Sequence, residues 1–305
     1  MPLGLGIDAG GSATRWLLLD GNGSVVGRGE ALPLTGHLFT NLDRETNLGR
    51  LAGLLGDVRE TAPPDAVVAG ITGAHAGTPA ADALRETVAR TLGLLPSRVR
   101  ITNDMDVAYA SVFEPGEGVL VYAGTGSVGY HLRADLSVVS AGGYGHLVDD
   151  EGAGYWIGRE GLKQTLRWAD ESGFPAQRPL AEEVYRVLGS SRWEDIIAVL
   201  YRGGRGAVAA LAPAVGRAAC RGDARAEAIL EQAGAELARL ARTVLHRVHA
   251  PLSVVLAGGV TNLGDPLVTA FGRALPPGTL WRVAPLYPSR AAAAAALTLL
   301  KQRDE

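Results

Sequence analysis

Two short turns that combine glycine with hydroxyl side chains are the residues most able to do chemistry. Segment 9–15 reads AGGSATR and segment 123–129 reads AGTGSVG. A shift of 113 positions without a gap aligns Gly11 with Gly124 and Ser12 with Thr125. Such turns between strands direct several backbone N–H groups at one point, which suits phosphate oxygens. The sequence therefore predicts a polyphosphate held between two related lobes. The predicted phosphate contacts are Gly10, Gly11, Ser12, Thr14, Gly124, Thr125, Gly126 and Ser127.

A carboxylate directly precedes the first turn. Asp8 ends the first strand-like run, where it could bind a hydrated Mg²⁺ on the phosphates, because magnesium takes few protein ligands. The alternative is an Asx-type turn residue that braces its own backbone. Arg15 could add positive charge or could point outward from its strand, and the sequence leaves these two roles open.

A second carboxylate is placed to act as a general base. Asp104 follows the short strand 99–102, and open α/β sheets bind ligands at the carboxyl ends of their strands. There it could accept the proton of a substrate hydroxyl that attacks a γ-phosphate. Asp106 competes for this role, and for both residues a helix N-cap is the alternative. We predict Asp104 as the base because it comes directly after the strand.

Three further segments could complete a site for a nucleotide and a sugar. Segment 142–156, GGYGHLVDDEGAGYW, combines glycines, aromatics and acids that suit sugar hydroxyls, or that begin a helix. Its His146 is expected to orient other groups rather than to react. Gly258 and Gly259 end a strand where an adenine ring could approach the backbone. The loop 32–41, with Gly36 and His37, could form the sugar rim or be an ordinary surface loop.

The elements that must position these residues alternate between strand and helix. Three strands are predicted over 3–32, followed by helix 43–60, strand 66–74, helix 79–93 and strand 99–102. From residue 118 three more strands run to about 141, and helices follow over 154–170, 180–188, 192–202, 206–221 and 224–248. Strand 252–259, helix 264–274, a strand near 280–284 and a last helix over 290–303 complete the chain. This order predicts doubly wound α/β sheets.

Composition and charge exclude several classes of function. The chain has 305 residues, a net charge of −3 and a hydrophobic fraction of 47%. We therefore expect about two domains and no electrostatic attraction to nucleic acid or to membranes. The single cysteine, Cys220, excludes a cysteine-ligated iron–sulfur cluster or zinc knuckle within one chain. No signal peptide is visible at the amino terminus, so the expected location is cytoplasmic.

Three blocks of sequence carry a family resemblance. They are GIDAGGSATRWLL, ITND followed by VLVYAGTGS, and GGYGHLVDDEGAGYWIG. With them the chain resembles the actin/hexokinase/Hsp70 superfamily, and within it the BadF/BadG/BcrA/BcrD-type group that contains N-acetylglucosamine and glucosamine kinases. The resemblance implies a two-lobed actin-like, ribonuclease-H-like fold of duplicated βββαβα units with the active site in the interlobe cleft. We expect one lobe over 1–117 with helix 289–305, and a second over 118–288.

The resemblance also implies roles for individual residues. Asp8 lies near the metal, and Asp104 is the base that also binds the sugar's 6-hydroxyl. Gly143, Tyr144 and Asp150 match amino-sugar contacts, whereas Ala209 and Gly259 fall near the adenosine pocket. The sugar loop reads Thr35-Gly36-His37, where the family often has an asparagine–histidine pair, so the identity of the sugar stays open.

Together these observations predict an ATP- and Mg²⁺-dependent kinase of an amino sugar, with N-acetylglucosamine as the expected acceptor. The expected partners are the sugar and a second copy of the chain in a homodimer. The alternatives are a glucosamine or other hexose kinase, and a regulatory ATPase without a sugar acceptor. Activators of the latter type bind an iron–sulfur cluster between subunits, and Cys220 supplies only one thiol per chain. A sugar-responsive repressor would need a helix-turn-helix before the first strand, which begins at residue 3.

Overall fold

The chain forms two compact units, each built on its own five-stranded sheet. The structure is a computed structural model, and it describes residues 1–11, 13–36 and 41–301, without the side chain of Asn41. One unit comprises Met1–Glu114 and Leu286–Glu305, and the other comprises Pro115–Pro285. Ser12 and His37, both predicted site residues, lie outside the described residues.

The first unit has a mixed sheet in which a hairpin is followed by two parallel strands. Its strands are β1 (Leu3–Ala9), β2 (Thr14–Asp20), β3 (Val25–Ala31), β4 (Ala66–Ile71) and β5 (Val99–Thr102), in the order β3-β2-β1-β4-β5. Its helices include α1 (Asn41–Thr61), α2 (Pro79–Leu92) and α3 (Asp104–Tyr109). The predicted turn between β2 and β3 is confirmed: Asp20 Oδ1 accepts hydrogen bonds from the N–H groups of Asn22 and Ser24.

The second unit repeats this topology. Its strands are β6 (Gly118–Ala123), β7 (Ser127–Leu132), β8 (Val138–Gly142), β9 (Ser253–Ala257) and β10 (Trp281–Val283), in the order β10-β9-β6-β7-β8. Its helices are α4 (Gly154–Ser172), α5 (Pro179–Leu188), α6 (Trp193–Ala209), α7 (Ala212–Cys220), α8 (Ala224–Val248) and α9 (Asp265–Ala274). Read from the hairpin end, both sheets have the same order and the same antiparallel and parallel pairs, so the predicted duplication is confirmed.

The last helix, α10 (Pro288–Lys301), returns to the first unit and packs on β1. Glycines of β1 make this packing close. A side-chain carbon on Gly4 would lie 2.5 Å from Ala293 O, and one on Gly6 would lie 2.0 Å from Ser289 O. Since the buried residues of α10 are alanines, the small side chains of both elements allow their backbones to meet.

The break predicted between helices 192–202 and 206–221 corresponds to a kink within α6. At Gly204 the backbone has φ 53° and ψ −138°, which is not helical, so two helical segments meet at this residue. Glycine adopts this backbone conformation without the strain that a side chain would introduce. The continuous helix predicted over 206–221 is wrong, because α6 ends at Ala209 and α7 begins at Ala212, with Pro213 in its first turn.

No helix in the described part of the chain is long and apolar enough to cross a lipid bilayer.

A buried carboxylate joins α5 to α7. The Glu183 side chain is only 3% exposed, and it pairs with Arg186 at 2.7 Å, Arg217 at 2.7 Å and Arg221 at 3.2 Å. Burial by itself raises the pKa of Glu183, but the hydrogen bonds from Arg217, Arg221 and Arg186 outweigh it and lower that pKa below its ordinary 4.5. The ionised form of Glu183 therefore stabilises the folded second unit.

This cluster predicts a specific dependence of stability on pH. Because the folded-state pKa of Glu183 is depressed, its contribution is present above about pH 5 and is lost as the pH falls through the folded pKa. Glu183→Gln should lower the free energy of unfolding at pH 7 by about 2–3 kcal/mol, since the arginines are partly exposed and screened. Denaturant unfolding at pH 7, 5, 4 and 3 should show this difference shrinking below pH 4.5. A difference that stays constant across that range would contradict the prediction.

Candidate active site

Asp8 lies in the middle of the first sheet, at the end of β1 that leads into the first glycine turn. Its neighbours across the sheet are Arg15 on β2 and Gly70 on β4. Burial and, to a smaller extent, the charge of Asp104 raise the pKa of Asp8 to about 6, against the lowering effect of Arg15. Asp8 and Asp104 are therefore brought close enough for their charges to interact.

Asp104 begins α3, directly after the carboxyl end of β5 as predicted. Thr72 Oγ1 lies 2.5 Å from Asp104 Oδ2, and the Met105 N–H donates to Asp104 Oδ1 at 3.0 Å. Burial raises the pKa of Asp104, and although the hydrogen bonds from Thr72 and Met105 lower it, the net direction is upward. A carboxylate with a raised pKa is a stronger proton acceptor than an ordinary aspartate, which is the property that a general base needs.

Asp106, the competing candidate, serves the helix instead. Its carboxylate accepts a hydrogen bond from the Asn103 N–H at 3.2 Å and is also bonded by the Thr102 hydroxyl. The Asn103 side chain in turn accepts from the Met105 N–H, which completes a capping box at the start of α3. These contacts give Asp106 a structural role and leave Asp104 as the carboxylate beside Asp8.

A glycine on β4 allows α3 to approach the sheet. A side-chain carbon on Gly70 would lie 2.3 Å from Val107 Cγ2 and 3.2 Å from Asp104 Cα. Without that carbon, α3 packs directly against β4 and delivers Asp104 to Thr72, just beyond the end of that strand. Thr72 is a residue of this site that sequence reasoning missed, although it follows a strand just as Asp104 does.

Two partly buried carboxylates whose pKa values are both raised suit a divalent cation. A cation beside Asp8 and Asp104 would favour their ionised forms, which partial burial disfavours in both and the charge of Asp104 disfavours in Asp8. Oxygen ligands are those that Mg²⁺ prefers, and it usually takes one or two from protein carboxylates. The residues present therefore fit the predicted magnesium.

The first glycine turn is braced from within. The Gly10 N–H donates to Ala13 O at 3.0 Å, and the space beside Gly11 is open. Thr14 is fully buried and its hydroxyl donates to Leu32 O at 2.9 Å, so this side chain supports the turn, and the phosphate contact predicted for it stays a prediction. Arg15 points outward, 60% exposed and 3.7 Å from Glu30.

The second glycine turn is oriented by helix α4. The N–H groups of Gly154 and Tyr155 donate to Gly124 O at 2.8 Å and Thr125 O at 3.2 Å. In a trans peptide the N–H points opposite to the carbonyl, so the N–H groups of Thr125 and Gly126 point away from α4. Among the described residues, the Gly126 N–H has no hydrogen-bond partner. This geometry suits an anion on that side of the turn.

Asp150 lies beneath the second turn. The Ser127 N–H donates to Asp150 Oδ1 at 3.1 Å, and Arg205 Nη2 donates to Asp150 Oδ2 at 3.0 Å. Only 3% of the Asp150 side chain is exposed, so in this geometry it braces the turn. Ser127 is also buried, and its hydroxyl donates to Glu151 O. The sugar contact implied for Asp150 and the phosphate contact predicted for Ser127 stay predictions, and neither side chain faces solvent here.

The predicted adenosine residues surround the same turn. A side-chain carbon on Gly258 would lie 2.2 Å from Ala123 O, so this glycine is required by the crossing of two backbones. Gly259 is open, with nothing near the position of a side-chain carbon. Ala209, at the end of α6, lies near Gly154 and therefore near Gly124. The second unit thus brings Gly124–Ser127, Ala209, Gly258 and Gly259 together around one end of β6.

The predicted sugar residues divide between the units. In the first unit, the Gly36 N–H donates to Thr72 O at 2.7 Å, which places this loop beside the residue that contacts Asp104. In the second unit, Gly143 has φ 79° and Tyr144 is exposed, with its N–H bonded to Asp149 Oδ2 at 3.3 Å. The His146 ring packs edge-on against Tyr155.

Comparison with known proteins assigns the family. The profile of the BadF/BadG/BcrA/BcrD ATPase family matches residues 5–297. The chain belongs to that family. The resemblance proposed from the three sequence blocks is confirmed, and so is the actin-like fold class.

Individual proteins that are similar to this chain are named as sugar kinases. An N-acetylmuramic acid/N-acetylglucosamine kinase of Clostridium acetobutylicum is 32% identical over 182 residues. That alignment spans 58% of the present chain and 58% of the Clostridium protein. A candidate N-acetylglucosamine kinase from Chromobacterium violaceum is 27% identical with a TM-score of 0.67, covering 98% of this chain and 99% of that one. A ROK family glucokinase from Streptomyces griseus, 19% identical with a TM-score of 0.55 over 98% and 99% of the two chains, shares the fold.

Proposed function

We propose that this protein is an ATP-dependent sugar kinase that phosphorylates an amino sugar, N-acetylglucosamine, at its 6-hydroxyl. The observation that carries the proposal is the geometry of Asp104. Its partly buried carboxylate has a raised pKa, contacts Thr72 and lies beside Asp8, in the unit that also contains the first glycine turn. Family membership and the kinase relatives support ATP as the phosphoryl donor.

In the proposed reaction, Asp104 accepts the proton of the sugar hydroxyl as that oxygen attacks the γ-phosphorus and ADP leaves. Thr72 keeps the Asp104 carboxylate in place through its 2.5 Å contact. The glycine turns bind phosphate oxygens through N–H groups, and Ala209 and Gly259 border the adenosine. Bound Mg²⁺, held by Asp8 with Asp104 nearby, would neutralise negative charge on the transferred phosphoryl group.

The sugar is proposed from two kinds of support. One is the activity for which the relatives are named, an N-acetylmuramic acid/N-acetylglucosamine kinase and a candidate N-acetylglucosamine kinase. The other is the Gly36 loop, whose N–H bond to Thr72 places it next to the proposed base. Groups next to the base can hold the acceptor hydroxyl in the position for attack on the phosphorus.

A coupled assay of ADP release tests the function. The purified protein is incubated with Mg²⁺–ATP and one of N-acetylglucosamine, N-acetylmuramic acid, glucosamine, N-acetylmannosamine or glucose, or with no sugar. We expect kcat/KM to be highest for N-acetylglucosamine, with a product that phosphorus NMR identifies as the 6-phosphate. A higher kcat/KM for another sugar would correct the acceptor but leave the kinase assignment standing.

The same assay decides against the alternative of a regulatory ATPase. Such a protein would release ADP at the same rate with and without sugar, and no phosphorylated sugar would form. That result would overturn the proposed function. The no-sugar reaction is therefore the essential control, and product analysis distinguishes phosphoryl transfer to sugar from transfer to water.

A further inference from the structure

Arg205 is a cation at the second glycine turn that neither the sequence motifs nor the family resemblance assigned. A side-chain carbon on Gly126 would lie 2.7 Å from Arg205 Nη2 and 2.7 Å from Asp150 Oδ1. The guanidinium and the carboxylate therefore lie directly against the face of Gly126, in the space that any other residue's side chain would occupy. Position 126 must be glycine for Arg205 to reach the turn.

The backbone before Arg205 is specialised to place it there. Gly204 has φ 53° and ψ −138° within an otherwise helical segment, so α6 changes direction immediately before Arg205. A residue with a side chain would be strained in this conformation. The break separates Arg205 from the preceding part of α6. The Arg205 side chain bonds Asp150, which lies 55 positions earlier in the sequence.

Arg205 keeps donors available after pairing with Asp150. A guanidinium has five N–H donors, and among the described residues the only recorded partner of Arg205 is Asp150 Oδ2 at 3.0 Å. Its side chain is 40% exposed, whereas that of Asp150 is 3% exposed. Asp150 thus anchors one edge of the guanidinium from below, and the remaining donors lie beside the turn whose N–H groups suit an anion.

We propose that Arg205 binds the phosphates of the nucleotide at the second glycine turn. This inference rests on the proposed nucleotide-dependent function and names a residue for it. A planar fork of donors matches phosphate oxygens in two-point contacts, and Arg205 is oriented for this by its bond to Asp150. The turn supplies neutral N–H donors, so Arg205 supplies positive charge on the second unit at this point.

Binding measurements that separate phosphate from nucleoside test the proposal. Isothermal titration calorimetry with ADP, AMP and adenosine is run on the wild type and on Arg205→Gln. We expect a loss of ADP affinity of about 10- to 100-fold, as for removal of a charge-assisted hydrogen bond, with adenosine affinity unchanged. Arg205→Lys should recover part of the loss. Arg202→Gln, an exposed arginine of the same helix before the Gly204 break, is the matched control and should bind as the wild type does.

A double variant separates phosphate binding from mere neutralisation of Asp150. Arg205→Gln leaves the buried Asp150 charge unpaired, which could itself distort the turn or prevent folding. Asp150→Asn/Arg205→Gln removes both charges and retains an acceptor for the Ser127 N–H. If Arg205 binds phosphate, the ratio of ADP affinity to adenosine affinity in the double variant stays below that of the wild type. Restored ADP affinity in the double variant, or an equal loss for ADP and adenosine in Arg205→Gln, would overturn the proposal.

The outcome is independent of the sugar. A wild-type protein that binds ADP but phosphorylates no sugar would contradict the proposed function and leave the role of Arg205 intact. An Arg205→Gln variant with the wild-type ratio of ADP to adenosine affinity would contradict only the role of Arg205.

Discussion

Asp104→Asn should lower kcat for sugar phosphorylation by at least about 100-fold, the low end for loss of a general base. Asparagine keeps the size of the side chain and can still contact Thr72 and the Met105 N–H, so the site should keep its shape. What it cannot do is accept a proton from the sugar hydroxyl. The loss should therefore fall on kcat rather than on the KM for ATP, because the nucleotide contacts are made by other residues.

Steady-state kinetics with saturating ATP and varied N-acetylglucosamine measure this effect. Asp106→Asn is the matched control, since Asp106 is two residues away but bonds Asn103 and Thr102 in the helix cap. That variant should keep kcat within a few-fold and lose about 1 kcal/mol of unfolding free energy, the typical value of a cap. A near-wild-type kcat for Asp104→Asn, or a larger kcat loss for Asp106→Asn, would show that the base is misassigned.

The architecture was predictable because its determinants are local. Strands with hydrophobic runs, the turn at Asp20–Ser24 and amphipathic helices each depend on residues a few positions apart, and they fix the βββαβα order. The 113-residue repeat likewise appears as two sheets with the same strand order. Asp104 could be located because strand ends in parallel sheets are where side chains meet a ligand.

Contacts with residues far away in the sequence could not be predicted. The Thr14 hydroxyl donates a hydrogen bond to Leu32 O across the hairpin. The two oxygens of Asp150 accept hydrogen bonds from Ser127 and Arg205. A side-chain carbon on Gly258 would meet the backbone of Ala123. The sequence could name these residues as site candidates, whereas the atoms that they contact are set by tertiary packing.

Arg205 shows what no local pattern could have revealed. The sequence predicted separate helices over 192–202 and 206–221 and assigned no role to the arginine between them. The structure uses Gly204 for a change of direction within α6, and the consequence is a cation against Gly126. Only the tertiary contact between two segments far apart in sequence makes that arginine visible as part of the site.

Gly6→Ala should destabilise the first unit by about 3 kcal/mol, at the upper end for overpacking by one methyl group. The added carbon would lie 2.0 Å from Ser289 O and 2.3 Å from Ala293 N, and both are backbone atoms that cannot rotate away. Helix α10 would have to move off β1, which would expose the alanine face formed by Ala292, Ala293 and Ala296. The alanines of this helix therefore do more than favour helix formation, because their small size permits the close approach that Gly6 completes.

Thermal unfolding followed by circular dichroism measures this loss, which should appear as a fall in Tm of about 10 °C for a unit of this size. Gly49→Ala is the matched control: Gly49 lies on α1, is exposed, and has nothing near the position of a side-chain carbon. There the same change should raise stability by about 0.5–1 kcal/mol, because alanine favours helix over glycine. If Gly6→Ala lowers the stability and Gly49→Ala raises it, the loss at position 6 is due to the contact between β1 and α10. A wild-type Tm for Gly6→Ala would mean that α10 does not pack on this strand in solution.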